Sequence, residues 1–242
     1  MKRSFLLLSL LAVPCVVTSC KDDNTATPNT DTAVSGTDTA TESTLDKLCE
    51  LFKIRNISDE KIKILRAGYT GDTATLNKLK DSLSINFYCT GAAAAGNKEL
   101  VLQCLDKGAD SDNGLGGAAH GGHMDIVQLM LDKGADPDNG LAGAAWGGHM
   151  DIVQLMLDKG ANPNAGLQGA AWGGHMDIVQ LMLSKGATNY NRGLEGAAGG
   201  GHMDIVQLML DKGATNLDSA LKTAEFNGHT DCAELIRAAM KK

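Results

Sequence analysis

The residues with most chemical potential are histidines and cysteines. Five histidines, His123, His149, His175, His202 and His229, are separated by 26, 26, 27 and 27 residues. A ladder of imidazoles suggests a metal site, but one zinc needs its ligands converging at ~2.0–2.1 Å, and residues one repeat apart sit on helix layers ~8–10 Å apart. His120 lies off the ladder, three residues before His123, and two imidazoles without a third ligand make only a weak surface site. Of the six cysteines, Cys89 and Cys104 fall where repeating apolar residues stand (Leu115 and Met130), and Cys232 where Ile126 stands. They read as small buried hydrophobes, with a Cys89–Cys104 disulfide as the alternative. No cysteine recurs beside a catalytic histidine. No Gly-x-Ser-x-Gly, phosphate loop or His-Glu-x-x-His occurs. The expectation is a protein without enzymatic activity, metal or cofactor.

What positions these residues is a repeat. Gly-Gly-His-Met-Asp-Ile-Val-Gln-Leu-Met-Leu stands at 121–131, 147–157, 173–183 and 200–210, each preceded by Gly-Leu-x-Gly-Ala-Ala-x. A fixed period of this size signals a solenoid. Each unit reads as two helices. In 140–147, Leu141, Ala144 and Ala145 share one helical face. Asp151 to Lys159 forms the second helix, with an acid at its positive end, a lysine at its negative end, and Gly160 as a left-handed cap. Its large apolar residues Ile152, Val153, Leu155, Met156 and Leu157 demand cover from several sides, so units must stack. Weaker copies extend the array: Ile64 to Asp72 and Leu76 to Leu83 at the start, Leu221 to His229 and Cys232 to Ala239 at the end. Seven units result, near 62–87, 88–113, 114–139, 140–165, 166–191, 192–217 and 218–242, with an amphipathic helix over Leu45 to Asn56 as an N-terminal cap. The fold class is all-α, a solenoid of about seven stacked helix pairs over 45–242.

The units resemble ankyrin repeats on the strength of Ala-Ala-x-Gly-Gly-His followed by Asp-Ile-Val-Gln-Leu-Met-Leu-Asp-Lys-Gly-Ala-Asp. The Thr-Pro-Leu-His opening of the family is absent, and each unit is six or seven residues shorter than the family's 33. The missing residues are those of the β-hairpin finger, since Ala161 to Ala165 alone joins units. The resemblance implies that the ladder histidines hydrogen-bond the turn between helices. It also implies that two variable positions line a concave binding face. One carries Tyr69, Ala94, His120, Trp146, Trp172, Gly199 and Phe226. The other, four residues earlier, carries Leu65, Thr90, Gly116, Ala142, Gln168, Glu195 and Lys222. Tyr69, His120, Trp146, Trp172, Phe226, Gln168, Glu195 and Lys222 are the candidate partner-binding residues, because aromatics there are typical anchors. Alternatively, Trp146 and Trp172 fill gaps that glycine and alanine leave between units.

The first twenty residues read as an address. A basic start at Lys2 and Arg3 precedes an apolar run from Phe5 to Val13, too short to span a membrane and suited to export. Val17-Thr18-Ser19-Cys20 resembles the bacterial lipobox, which implies a signal peptide over 1–19 and lipidation of Cys20. Lys21-Asp22-Asp23 resembles a surface-sorting signal of some bacterial lipoproteins. From Lys21 to Thr44 the chain holds eight threonines and five acids, too little apolar bulk to fold. Residues 20–44 therefore read as the lipidated cysteine and a tether, or as a glycosylated stalk, since Asp31-Thr32-Ala33 and Asp38-Thr39-Ala40 resemble a bacterial O-glycosylation motif.

Net charge is −7 over 242 residues, and an acidic chain repels phosphate backbones, so nucleic acid is excluded as a general partner. Nine aromatics cannot build a large barrel or sandwich core. Together these features lead us to expect a lipid-anchored repeat protein of the bacterial cell envelope, on its periplasmic face or surface, that binds a partner protein of unknown identity through its first helices. The alternative is a structural spacer without a specific ligand.

Overall fold

The computed structural model describes residues 58–241. The proposed signal peptide (1–19), Cys20, the tether to residue 44, the helix over Leu45 to Asn56 and Cys49 lie outside the described residues. Those described form fourteen helices and no strand. In chain order they are α1 Asp59–Thr70, α2 Thr73–Lys78, α3 Ser82–Ala94, α4 Lys98–Asp106, α5 Ser111–Gly121, α6 Met124–Asp132 and α7 Pro137–Gly147. There follow α8 Met150–Asp158, α9 Pro163–Gly173, α10 Met176–Ser184, α11 Tyr190–Gly200, α12 Met203–Asp211, α13 Leu217–Phe226 and α14 Thr230–Ala239. They stack as seven helix pairs, an all-α solenoid.

First helices start earlier than the repeat block suggests. Asp136 caps α7 through its side chain, which accepts from the Asp138 N–H, and Pro137 occupies the first turn, where its missing N–H costs nothing. The link between units is therefore only residues 159–162, shorter than the Ala161 to Ala165 expected. The first unit departs most. Its second helix is the single short α2, and Leu83, expected at that helix's end, begins α3 and stands exposed. Polar residues at 77, 78 and 80–82 leave no apolar face long enough to extend α2.

The core of a typical unit is small. Leu141, Ala144 and Ala145 of α7 and Ile152, Val153 and Met156 of α8 are wholly buried, whereas Leu155 and Leu157 are half-buried. First helices approach so closely that side chains are excluded between them. A Cβ on Gly117, Gly143, Gly169 or Gly196 would lie 2.4, 2.4, 2.6 or 2.5 Å from a carbonyl oxygen of the preceding first helix. Successive first helices pack along the whole row, while successive second helices make a substantial contact only between α12 and α14. The first helices thus form the more closely packed, inner row of the stack.

Two ladders of polar groups lock the layers. Nε2 of His123, His149, His175, His202 and His229 donates to the carbonyls of Ala94, His120, Trp146, Trp172 and Gly199 at 3.0–3.1 Å. The resemblance left open which unit's turn is bonded; it is that of the preceding unit. Each acceptor belongs to the last turn of the preceding first helix, where carbonyls lack intrahelical partners. The ring reaches it by lying against Gly121, Gly147, Gly173 or Gly200, where a Cβ would collide with the imidazole. A carbonyl only accepts, so Nε2 carries the proton throughout. The second ladder was not read from the sequence. Side-chain oxygens of Asn86, Asp112, Asp138, Asn164 and Asn191 accept from main-chain N–H groups at the next unit's first-helix entrance: Asp110, Asp136, Asn162, Asn189 and Asn216, at 2.6–3.1 Å. From Asp112 onward its signal was the Asx that recurs two residues after the capping Asx.

Candidate partner-binding face

The candidate residues lie on the first helices, along the inner row. Their surroundings differ from unit to unit although the scaffold does not. Trp146 is half-buried and stacks on His120 of the preceding unit, with ring centroids 4.1 Å apart and planes at 23°. His120 is buried as a result, 5% exposed, and lends the face little surface of its own. Trp172 is also half-buried and leans the other way, over the next unit: a Cβ on Gly199 would meet its ring at 2.4 Å. One tryptophan thus rests on a ring and the other on a glycine, and each closes a gap between layers while keeping part of its surface open.

At the ends of the row Tyr69 is half-buried, its phenol pushed up by desolvation, and Phe226 is 62% exposed. The parallel row is more engaged than a free surface. Gln168 accepts from Arg192 at 3.3 Å and Glu195 from the Asn216 amide at 2.6 Å, both across a unit boundary, while Lys222 is exposed. Leu65 is fully buried. After Leu65 the row carries the smaller Thr90, Gly116 and Ala142, then longer polar side chains.

Among the described residues no group of three or more His, Cys, Asp or Glu is arranged to hold a metal ion. No helix there is long and apolar enough to cross a membrane. Cys89, Cys104 and Cys232 are buried free thiols, so the alternative Cys89–Cys104 disulfide is not formed.

The stacked helix pairs, left-handed glycine turns and histidine ladder have a counterpart among known families. Residues 90–166 match the family model for ankyrin repeats, in three copies. A search of curated proteins returned no match. Ankyrin repeats mark this region as a protein–protein interaction module and suggest a protein as its partner. Its units carry no finger, because four residues, 133–136 or 159–162, join one ankyrin-type pair to the next.

Proposed function

We propose that the chain is a lipoprotein of the bacterial cell envelope, anchored through Cys20, whose repeats dock a partner protein on the first-helix face. The observation supporting the binding face is the half-exposed pair Trp146 and Trp172. They stand at equivalent positions on the inner row of a stack whose other core positions hardly change. Aromatics that are rigidly seated yet partly open are suited to be anchors, since they bury large area at low entropic cost. Tyr69, Phe226, Gln168, Glu195 and Lys222 extend the face, and His120 supports Trp146 from beneath.

The spacer reading has its own observation. Both tryptophans fill gaps between layers, which a structural stack also needs. Replacing both with alanine separates the two. As anchors, they should cost several kcal/mol of partner binding and less stability than the ~3–5 kcal/mol of a fully buried tryptophan. A double variant that melts early, with no partner captured by the parent, would favour the spacer. The anchor has a separate test: Cys20→Ala should abolish labelling by radioactive palmitate and release the protein from membranes. Equal labelling of variant and parent would exclude lipidation at this residue.

A further inference from the structure

Each of the four near-identical units carries two methionines, six residues apart, in opposite settings. Met130, Met156, Met182 and Met209 are wholly buried. Their sulfurs press on the first helix of the same unit: a Cβ on Gly114, Gly140, Gly166 or Gly193 would lie 2.7, 2.4, 2.7 or 2.5 Å from the sulfur. An oxygen added on that side has no room. Met124, Met150, Met176 and Met203 instead open the second helices α6, α8, α10 and α12. Met124 and Met150 are 37% exposed and Met203 45%, whereas Met176 is half-buried. Packing does not demand a thioether there, since the same position holds Lys98 in α4 and Thr230 in α14. Met240 is also exposed but stands outside this row.

We propose that Met124, Met150, Met176 and Met203 form a row of reversible oxidation sites, at which a peroxide transfers one oxygen to each thioether while the fold stays intact. The sulfur lone pair attacks one peroxide oxygen; an S–O bond forms and the O–O bond breaks. The hydrogen on the transferred oxygen passes to the departing hydroxide, which leaves as water. Sulfur is oxidised by two electrons and the peroxide is reduced by two. A sulfoxide in the core would place a polar group among apolar ones and disrupt the packing. The edge carries no such penalty, because these side chains already meet water. The new oxygen is the negative end of the S–O dipole and forms at the positive end of a helix, where negative charge is favoured. The capping histidines do not compete for that end: their side chains make no cap bond, and their rings are held by the preceding layer. Sulfoxides on this edge stand open to the two reductases, one per epimer, that restore methionine.

Hydrogen peroxide, added to the full chain and followed by tandem mass spectrometry of its peptides, tests the row. Met124, Met150 and Met203 should gain oxygen first and Met176 later. The four core methionines should lag by at least about tenfold, because they react only when the stack opens locally. Once the edge is converted, helical circular dichroism and the urea midpoint should remain those of the untreated chain, and both reductases together should return the edge to methionine. In concentrated urea all eight should react at similar rates, since the fold and not the local sequence protects the core. The combined change Met124→Thr, Met150→Thr, Met176→Thr and Met203→Thr, matching Thr230, should preserve the fold and remove the early uptake. Equal rates for edge and core in the folded chain, selectivity that persists in urea, loss of helix in step with edge oxidation, or edge sulfoxides that the reductases leave unchanged would overturn the proposal.

Discussion

Gly116 and Gly117 are adjacent on α5, yet the same substitution at each should move stability in opposite directions. A Cβ at Gly117 would lie 2.4 Å from the Thr90 carbonyl oxygen and 3.2 Å from both its carbon and its Cα. Carbon and oxygen in contact sit ~3.3–3.6 Å apart, so α3 and α5 must separate by roughly 1 Å to admit it. Both partners are main chain and cannot swing aside. Overpacking of this kind costs ~1–3 kcal/mol. Separation also stretches the His123 bond to Ala94 in the same layer, 3.0 Å long in the native stack. Helix propensity returns at most ~1 kcal/mol for glycine to alanine. Gly117→Ala should therefore lose ~1–2 kcal/mol net. At Gly116 the nearest atom is the Asn139 carbonyl oxygen at 3.7 Å, an ordinary contact, so Gly116→Ala keeps the propensity gain of ~0.5–1 kcal/mol. Urea unfolding followed by far-UV circular dichroism reads both as shifts of midpoint at unchanged slope. A Gly117→Ala variant as stable as the parent, or a Gly116→Ala variant destabilised to the same degree, would refute the close packing of first helices.

Within α8, Met156→Ala should cost ~2–5 kcal/mol, because Met156 is wholly buried and its sulfur occupies the space a Cβ on Gly140 would take. Leu155→Ala in the same helix should cost clearly less, since Leu155 is half-buried, and the same urea titration ranks them. Asp112 has its carboxyl pKa raised, first by burial and then by the charges of Asp110 and Asp136, against a lowering hydrogen bond from the Asp136 N–H. The native state thus holds this proton more tightly than the unfolded chain, and stability falls as pH rises from the ordinary carboxylate value of ~3.9 through the raised one. Asp112→Asn keeps an oxygen for the same N–H, as Asn164 and Asn191 do. It should be more stable than the parent at pH 7 and indistinguishable below pH ~3.5; an Asn variant less stable at neutral pH would contradict the assignment.

The repeat, its two-helix reading and the seven layers were legible because one apolar pattern recurs with its turn glycines in place. Helix entrances were less so. The Gly-Leu-x-Gly block advertises the buried face, while α7 actually begins with Asp136 and Pro137, whose capping role is local and precedes any apolar periodicity. The partner of each ladder histidine was out of reach for a different reason. A ring beside its own turn and a ring bridging to the previous unit need the same residues in sequence, and only the stacking distance selects the second. Gln168 and Glu195 read as free surface from spacing alone, but residues 24 and 21 positions onward fold back to bond them.

Site-specific photocrosslinking in intact cells tests the docking face most directly. A photoreactive amino acid replaces Trp172 on the inner row in one chain and the exposed Gln154 on α8 in another. The account predicts a discrete protein adduct from position 172 that is absent from position 154 and diminished when Trp146→Ala is added. Adducts of equal yield from both positions, or none from position 172 while the protein remains folded and abundant, would contradict it.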